Sequence, residues 1–122
     1  MVTLPKKTIS VTLSGVDGAA EIKKIMDKFR DNAPSQFNQT DIVLTEDFLA
    51  QTASSKDGQT TLTTPPSNVL KYTLADDSWF AVRPSGTEPK IKFYIATVGD
   101  TLNSAEEKIA NIEAEINVFV GQ

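Results

Sequence analysis

Apolar and polar residues alternate in several stretches of the chain, and in two others apolar residues recur at intervals of three and four. Ile9, Val11 and Leu13 alternate with Ser10 and Thr12, which predicts a strand over Thr8–Leu13. Gly15 breaks it, and Asp17 suits the N-cap of a helix over Gly18–Arg30. In that helix Ala19, Ile22, Ile25, Met26 and Phe29 share one face, while Lys23, Lys24, Asp27 and Lys28 form a solvated one. Asn32 and Pro34 end it, and the polar stretch 33–40 is expected to be a loop. A strand follows over Asp41–Thr45. Residues 52–68 are rich in Thr, Ser, Gly and Pro and form a loop or a short hairpin turning at Asp57-Gly58, with Pro65-Pro66 as an extended exit.

The alternation is clearest in the second half. Leu70, Tyr72 and Leu74 share one side of a strand over Val69–Leu74, and Asp76-Asp77 turns the chain. Ser78–Arg83 returns antiparallel with Phe80 and Val82 on one face, Trp79 and Ala81 on the other. In Lys90–Val98, Ile91, Phe93 and Ile95 face one way, and Lys92, Tyr94 and Ala96 the other. Trp79 and Tyr94 could serve as a sugar-stacking platform, but packing under a helix is the expected role. Ser104 to Glu107 fits a capping box for a helix over Ala105–Val120, whose stripe is Ala105, Ile109, Ile112, Ile116 and Phe119, with Gly121 at C′. Strand, helix, several meandering strands, helix: this order predicts an α+β fold, an antiparallel sheet of about four strands with two helices packed on one face.

Composition narrows the functional classes. At 122 residues the chain is expected to be a single domain over 1–122. The net charge of −4 argues against nucleic acid as a partner. No apolar run approaches a membrane span, and the N-terminus lacks the plan of a signal peptide. There is no cysteine, which is compatible with the reducing cytoplasm, the expected location. There is no histidine either, which removes the commonest general base and metal ligand.

One segment stands against the acidic background. Between the last two strands lies Arg83-Pro-Ser-Gly-Thr-Glu-Pro-Lys90, followed by Lys92. Arg83, Ser85, Gly86, Thr87 and the lysines form a set of donors, none of them a ready base or nucleophile, with Glu88 the one acid among them. Arg83 can hold two phosphate oxygens with its planar fork. Ser85 and Thr87 add hydroxyls, and Gly86 lets backbone N–H groups approach a ligand. Pro84 and Pro89 fix φ at both ends. Hydrogen bonds to a charged group contribute roughly 1.5–3 kcal/mol each, so three or four would hold a phosphate that must later leave. The same residue types also make ordinary turns, and spacing alone does not separate the two.

Arg-Pro-Ser-Gly-Thr-Glu-Pro-Lys-Ile-Lys-Phe-Tyr resembles, without a gap, the phosphate-binding loop in the last domain of the phosphohexomutases, the phosphoglucomutase/phosphomannomutase superfamily, and most closely its bacterial phosphoglucomutase branch. The resemblance implies that Arg83, Ser85, Gly86 and Thr87 hold the sugar phosphate that is not being transferred. It assigns Lys92 to the basic position on the following strand, with Lys90 a possible addition. It also implies a fold like that of the TATA-box-binding protein, without implying DNA binding.

Other parts of the family's machinery have no match. The phosphorylated serine lies in a Thr-Ala-Ser-His-Asn-Pro-like segment; here Thr52-Ala53-Ser54 continues with Ser55 and Lys56 and reads as a chance loop match. Asp17-Gly18 and Asp57-Gly58 lack the further carboxylates of the family's magnesium loop. The expectation is a C-terminal domain with no catalytic residue, metal site or cofactor of its own and no activity alone. Its partners are then a sugar phosphate and the other domains of a parent enzyme that uses Mg2+ and glucose 1,6-bisphosphate. Another sugar specificity (phosphomannomutase, phosphoglucosamine mutase or phosphopentomutase) and a stand-alone anion-binding or interaction module are the alternatives.

Overall fold

The structure, a computed structural model, describes residues 6–12, 18–32, 35–85 and 90–120. In order these form β1 (Lys6–Thr12), α1 (Gly18–Asn32), β2 (Gln36–Phe37), β3 (Thr40–Asp47), β4 (Thr52–Ser55), β5 (Gly58–Thr61), β6 (Leu70–Leu74), β7 (Trp79–Pro84), β8 (Lys90–Ala96) and α2 (Leu102–Val120). The sheet runs β1-β8-β7-β6-β3-β4-β5, with β2 paired to β3, and every pairing is antiparallel. The α+β class and the two helices on one face agree with expectation. The strand count does not: eight strands are described where about four were expected.

The extra strands come from polar chain. β4 and β5 form a hairpin around Asp57-Gly58, with Gly58 at φ 121°, and β5 is exposed throughout. A hairpin held by backbone hydrogen bonds on polar residues carries no apolar alternation to read. The stretch 33–40, expected to be a loop, holds β2. There Asn38 and Gln39 sit at φ 53° and 56°, the left-handed pair that turns a two-residue hairpin. The turn drives Phe37 into the core, where it lies 4.5 Å from the Phe80 ring.

Alternation decides which side of each strand is covered. Leu70, Tyr72 and Leu74 of β6, Phe80 and Val82 of β7, and Ile91, Phe93 and Ile95 of β8 are all buried in register. Onto that face α1 lays Ile22, Ile25, Met26 and Phe29, and α2 lays Ala105, Ile109, Ile112 and Ile116, with Phe119 packed at its margin. Phe29 is fully buried, and its ring lies 4.4–6.3 Å from those of Phe119, Phe93, Tyr72 and Phe80. The Tyr72 hydroxyl donates to the Phe29 carbonyl at 2.7 Å, so this buried polar atom under α1 is satisfied. Burial pushes the Tyr72 phenol well above its ordinary pKa.

Trp79 and Tyr94 take the other face, which neither helix covers. Packing under a helix, the expected role for both, is therefore wrong: alternation separates two faces but does not say which one the helices take. Lys28, read as part of a solvated face, instead donates to the Phe119 carbonyl at 2.8 Å and lies 4.4 Å from the Phe119 ring centre, tying α1 to the last turn of α2. The cap of α2 also sits earlier than expected. Thr101 is the N-cap, accepting from Ser104 N at 3.0 Å, and Ser104 donates its hydroxyl back to the Thr101 carbonyl at 3.3 Å. Ser104 is thus inside the first turn. Asp17, Leu13, Pro34 and Gly121, each given a role above, lie outside the described residues, as does the side chain of Ala19.

Two ion pairs lock the edges. Arg30, in the last turn of α1, donates to Asp47 at 2.9 Å and to Asn68 at 3.0 Å, and Asp47 accepts from the N–H groups of Leu49 and Ala50. Lys108 of α2 donates to Asp76 at 2.8 Å and to the Val98 carbonyl at 2.6 Å. Burial pushes the Asp47 carboxyl up, but the bond from Arg30, the two N–H groups and the Arg30 charge outweigh it and hold its pKa below 3.8. Asp76 balances the same way, burial against Lys108 and Ser78, and also ends low.

A group whose pKa is depressed by folding stabilises the fold above its unfolded value and loses that contribution as pH falls through the folded one. Melting temperature is therefore expected to hold from neutral pH to about 5 and to fall on further acidification. Asp76→Asn should flatten that fall; an unchanged slope would mean the pair is inert.

Gly99 packs so closely on the start of α2 that a Cβ would collide with the Ser104 hydroxyl and lie 2.8 Å from Ala105 N. Gly99→Ala is expected to cost about 1–3 kcal/mol in urea unfolding, because backbone cannot move aside as a side chain can.

Candidate functional site

β7 and β8 form a hairpin whose strands are pinned from below. Val82, Ile91 and Phe93 each show no exposure. Their neighbours in sequence must then point the other way, and these are Arg83 and Lys92. The register sets Arg83 directly opposite Lys92 and Pro84 opposite Ile91. Ser85 N donates to the Lys90 carbonyl at 2.9 Å and closes the base of the loop. Hydrogen-bonded pairs alternate along an antiparallel ladder, so Arg83 and Lys92 form one, with Cα atoms about 5.5 Å apart. Pro84 falls at a position that sends no N–H to β8, so its missing donor does not weaken the hairpin.

Two cations thus stand side by side on the helix-free face at the mouth of the loop. Like charges directly opposite across a ladder are unfavourable unless an anion lies between them. Arg83 is exposed, and Lys92, Ser85 and Lys90 are half-buried. Neither Arg83 nor Lys92 takes part in the ion pairs seen between described residues, which lie on Arg30 with Asp47, Lys108 with Asp76, and along α1. The structure therefore brings Arg83, Ser85, Lys90 and Lys92 to one end of one hairpin. Gly86 and Thr87 lie outside the described residues.

Two concavities lie away from this hairpin. One runs between β3 and the β4–β5 hairpin and is lined by Val43, Leu44, Ser54 and Lys56 among others. The other lies at the start of α2, around Asp76, Asp100 and Lys108. Neither is lined by Arg83 or Lys92, and neither gathers cations. Ser54, in the chance match to a phosphoserine segment, is half-buried in β4 opposite Thr45. Sequence reading did not single out Lys71, which shares the helix-free face and stands 4.6 Å over the Trp79 ring. The alternation of Leu70–Leu74 held the signal for its direction.

These elements define a two-layer α+β domain whose β7–β8 hairpin carries Arg83 and Lys92 side by side. The model of the phosphoglucomutase/phosphomannomutase C-terminal domain matches residues 9–117, and the chain belongs to that family. Phosphoglucomutases of Staphylococcus aureus strains RF122 and USA300 are 38% identical to it over 102 residues, and that of strain MSSA476 is 37% identical. In each case the aligned stretch covers 82% of this chain but only 18% of the relative's length.

Because Arg83 is exposed and faces another cation, Arg83→Ala is expected to change folding stability by no more than about 0.5 kcal/mol. Urea unfolding checks this, and a larger loss would make Arg83 a structural residue.

Proposed function

We propose that this chain is the domain of a phosphoglucomutase that holds the substrate's non-reacting phosphate. The observation that carries the proposal is the pairing of Arg83 with Lys92 on an uncovered face, at the mouth of the loop beginning at Ser85. The Arg83 fork takes two phosphate oxygens, and Lys92 neutralises charge beside it. Ser85, Gly86 and Thr87 complete the grip, with Lys90 a possible contributor. The parent enzyme interconverts glucose 1-phosphate and glucose 6-phosphate through a phosphoserine and a bisphosphorylated sugar that turns around between two transfers. The loop must therefore accept the phosphate at either end of the sugar. Donors that read phosphate alone suit that task.

The domain's contribution to rate is positioning. With the distal phosphate gripped, the reacting oxygen is brought in line with the phosphoserine supplied by the rest of the parent. Magnesium in such an enzyme supplies charge neutralisation at the transferred phosphoryl group. Among the described residues no cluster of three or more carboxylates could hold it, and Asp47 and Asp76 are committed to Arg30 and Lys108. We assign that ion to the parent's other domains.

Titrating the chain with inorganic phosphate is expected to shift the amide signals of Arg83, Ser85 and Lys92 at millimolar concentration. In the longer protein, Arg83→Ala is expected to lower kcat/KM about a hundredfold or more with little change in melting temperature. No shift in the first experiment, or undiminished activity in the second, would overturn the proposal.

A further inference from the structure

We infer that Tyr94 is the surface on which the sugar ring of a bound hexose phosphate rests, so that this domain distinguishes a sugar phosphate from bare phosphate. The inference rests on the phosphate role of Arg83 and Lys92. Tyr94 is two residues beyond Lys92 on β8 and points to the same face. That spacing puts it about 6.6 Å along the strand from Lys92. In a hexose 1-phosphate a single ester oxygen joins phosphorus to the ring, and in a 6-phosphate one further carbon does. A ring that turns back from the phosphate over the sheet therefore meets the position next to Lys92.

The residues paired with Tyr94 across the ladder are small, Ala81 on β7 and Thr8 on β1. Ala81 is itself buried, so the phenol of Tyr94 is the larger and more exposed of the pair. Tyr94 is half-buried, and none of the ring or cation contacts between described residues involves it. Trp79, the other aromatic residue on this face, is already capped by the Lys71 ammonium at 4.6 Å. Of the two aromatic side chains, only Tyr94 adjoins the paired cations and is clear of such a cap. An aromatic face packs against the C–H-lined face of a sugar without reading individual hydroxyls. That tolerance suits a ligand gripped by either of its phosphates.

The test compares three ligands of the 122-residue chain by amide titration: inorganic phosphate, glucose 1-phosphate and glucose 6-phosphate. Both sugar phosphates are expected to bind about three- to tenfold more tightly than phosphate, an increment of the size of one aromatic contact. Tyr94→Ala should erase that preference and leave phosphate affinity unchanged, while Tyr94→Phe should keep it. Should Tyr94→Ala fail to fold, magnetisation transfer from the Tyr94 ring protons to the sugar of the bound ligand decides the matter in the unmodified chain. Equal affinity for all three ligands, a preference that survives Tyr94→Ala, or no such transfer overturns the inference. If phosphate binds at Arg83 and Lys92 without the sugar preference, only this inference falls. If phosphate does not bind there, the phosphate role fails and takes this inference with it.

Discussion

Burial of Phe29 is the packing event on which the rest of the molecule depends. Its ring meets aromatic side chains from β6, β7, β8 and α2, and its own carbonyl accepts the Tyr72 hydroxyl. Those contacts fix which face of the sheet the helices cover. Once Phe80, Val82, Ile91 and Phe93 are beneath α1 and α2, the period of two in β7 and β8 leaves Arg83, Lys92 and Tyr94 no choice of direction. The directions of these three side chains are a consequence of the core, although none of the three belongs to it.

Charge is distributed to the same end. The chain is acidic, yet two of its carboxylates are held away from the Arg83–Lys92 hairpin. Asp47 closes on Arg30 at one margin of the sheet, and Asp76 on Lys108 near the start of α2. Each is partly buried and accepts several hydrogen bonds, so neither is free to reach the loop. A local pair of cations in an acidic protein suits a small doubly charged ligand and repels nothing of that size, whereas a polyanion would meet the surrounding negative charge.

Much of the fold could be read from residue order, because buried strands and amphipathic helices write their periods into the chain. The β6–β8 meander and the buried stripes of both helices follow from alternation and from three-and-four spacing. Phe37 escaped as a lone aromatic in polar chain, and at β4–β5 the Asp57-Gly58 turn could be read but the choice between loop and hairpin could not, since those strands have no apolar face. The left-handed pair Asn38-Gln39, which turns Phe37 inward, has only a weak signal in its asparagine. Thr101 was missed as a cap because Ser104 offers the same chemistry one turn later.

For the candidate site, the residue types Arg83, Ser85, Gly86, Thr87 and Lys92 could be named from order alone, and so could the facts that Arg83 leaves the Val82 side and Lys92 the Phe93 side. Their pairing across the ladder could not, because register depends on where the loop closes, and that is set by Ser85 and Lys90 meeting through space. Nor could the role of Trp79 and Tyr94. Alternation assigns them to one of two faces, but only the docking of α1 and α2 on the opposite side leaves theirs uncovered. Local sequence determined which residues share a surface; long-range packing decided which surface remained open to a ligand, because burying apolar area is a property of elements meeting and not of any one strand.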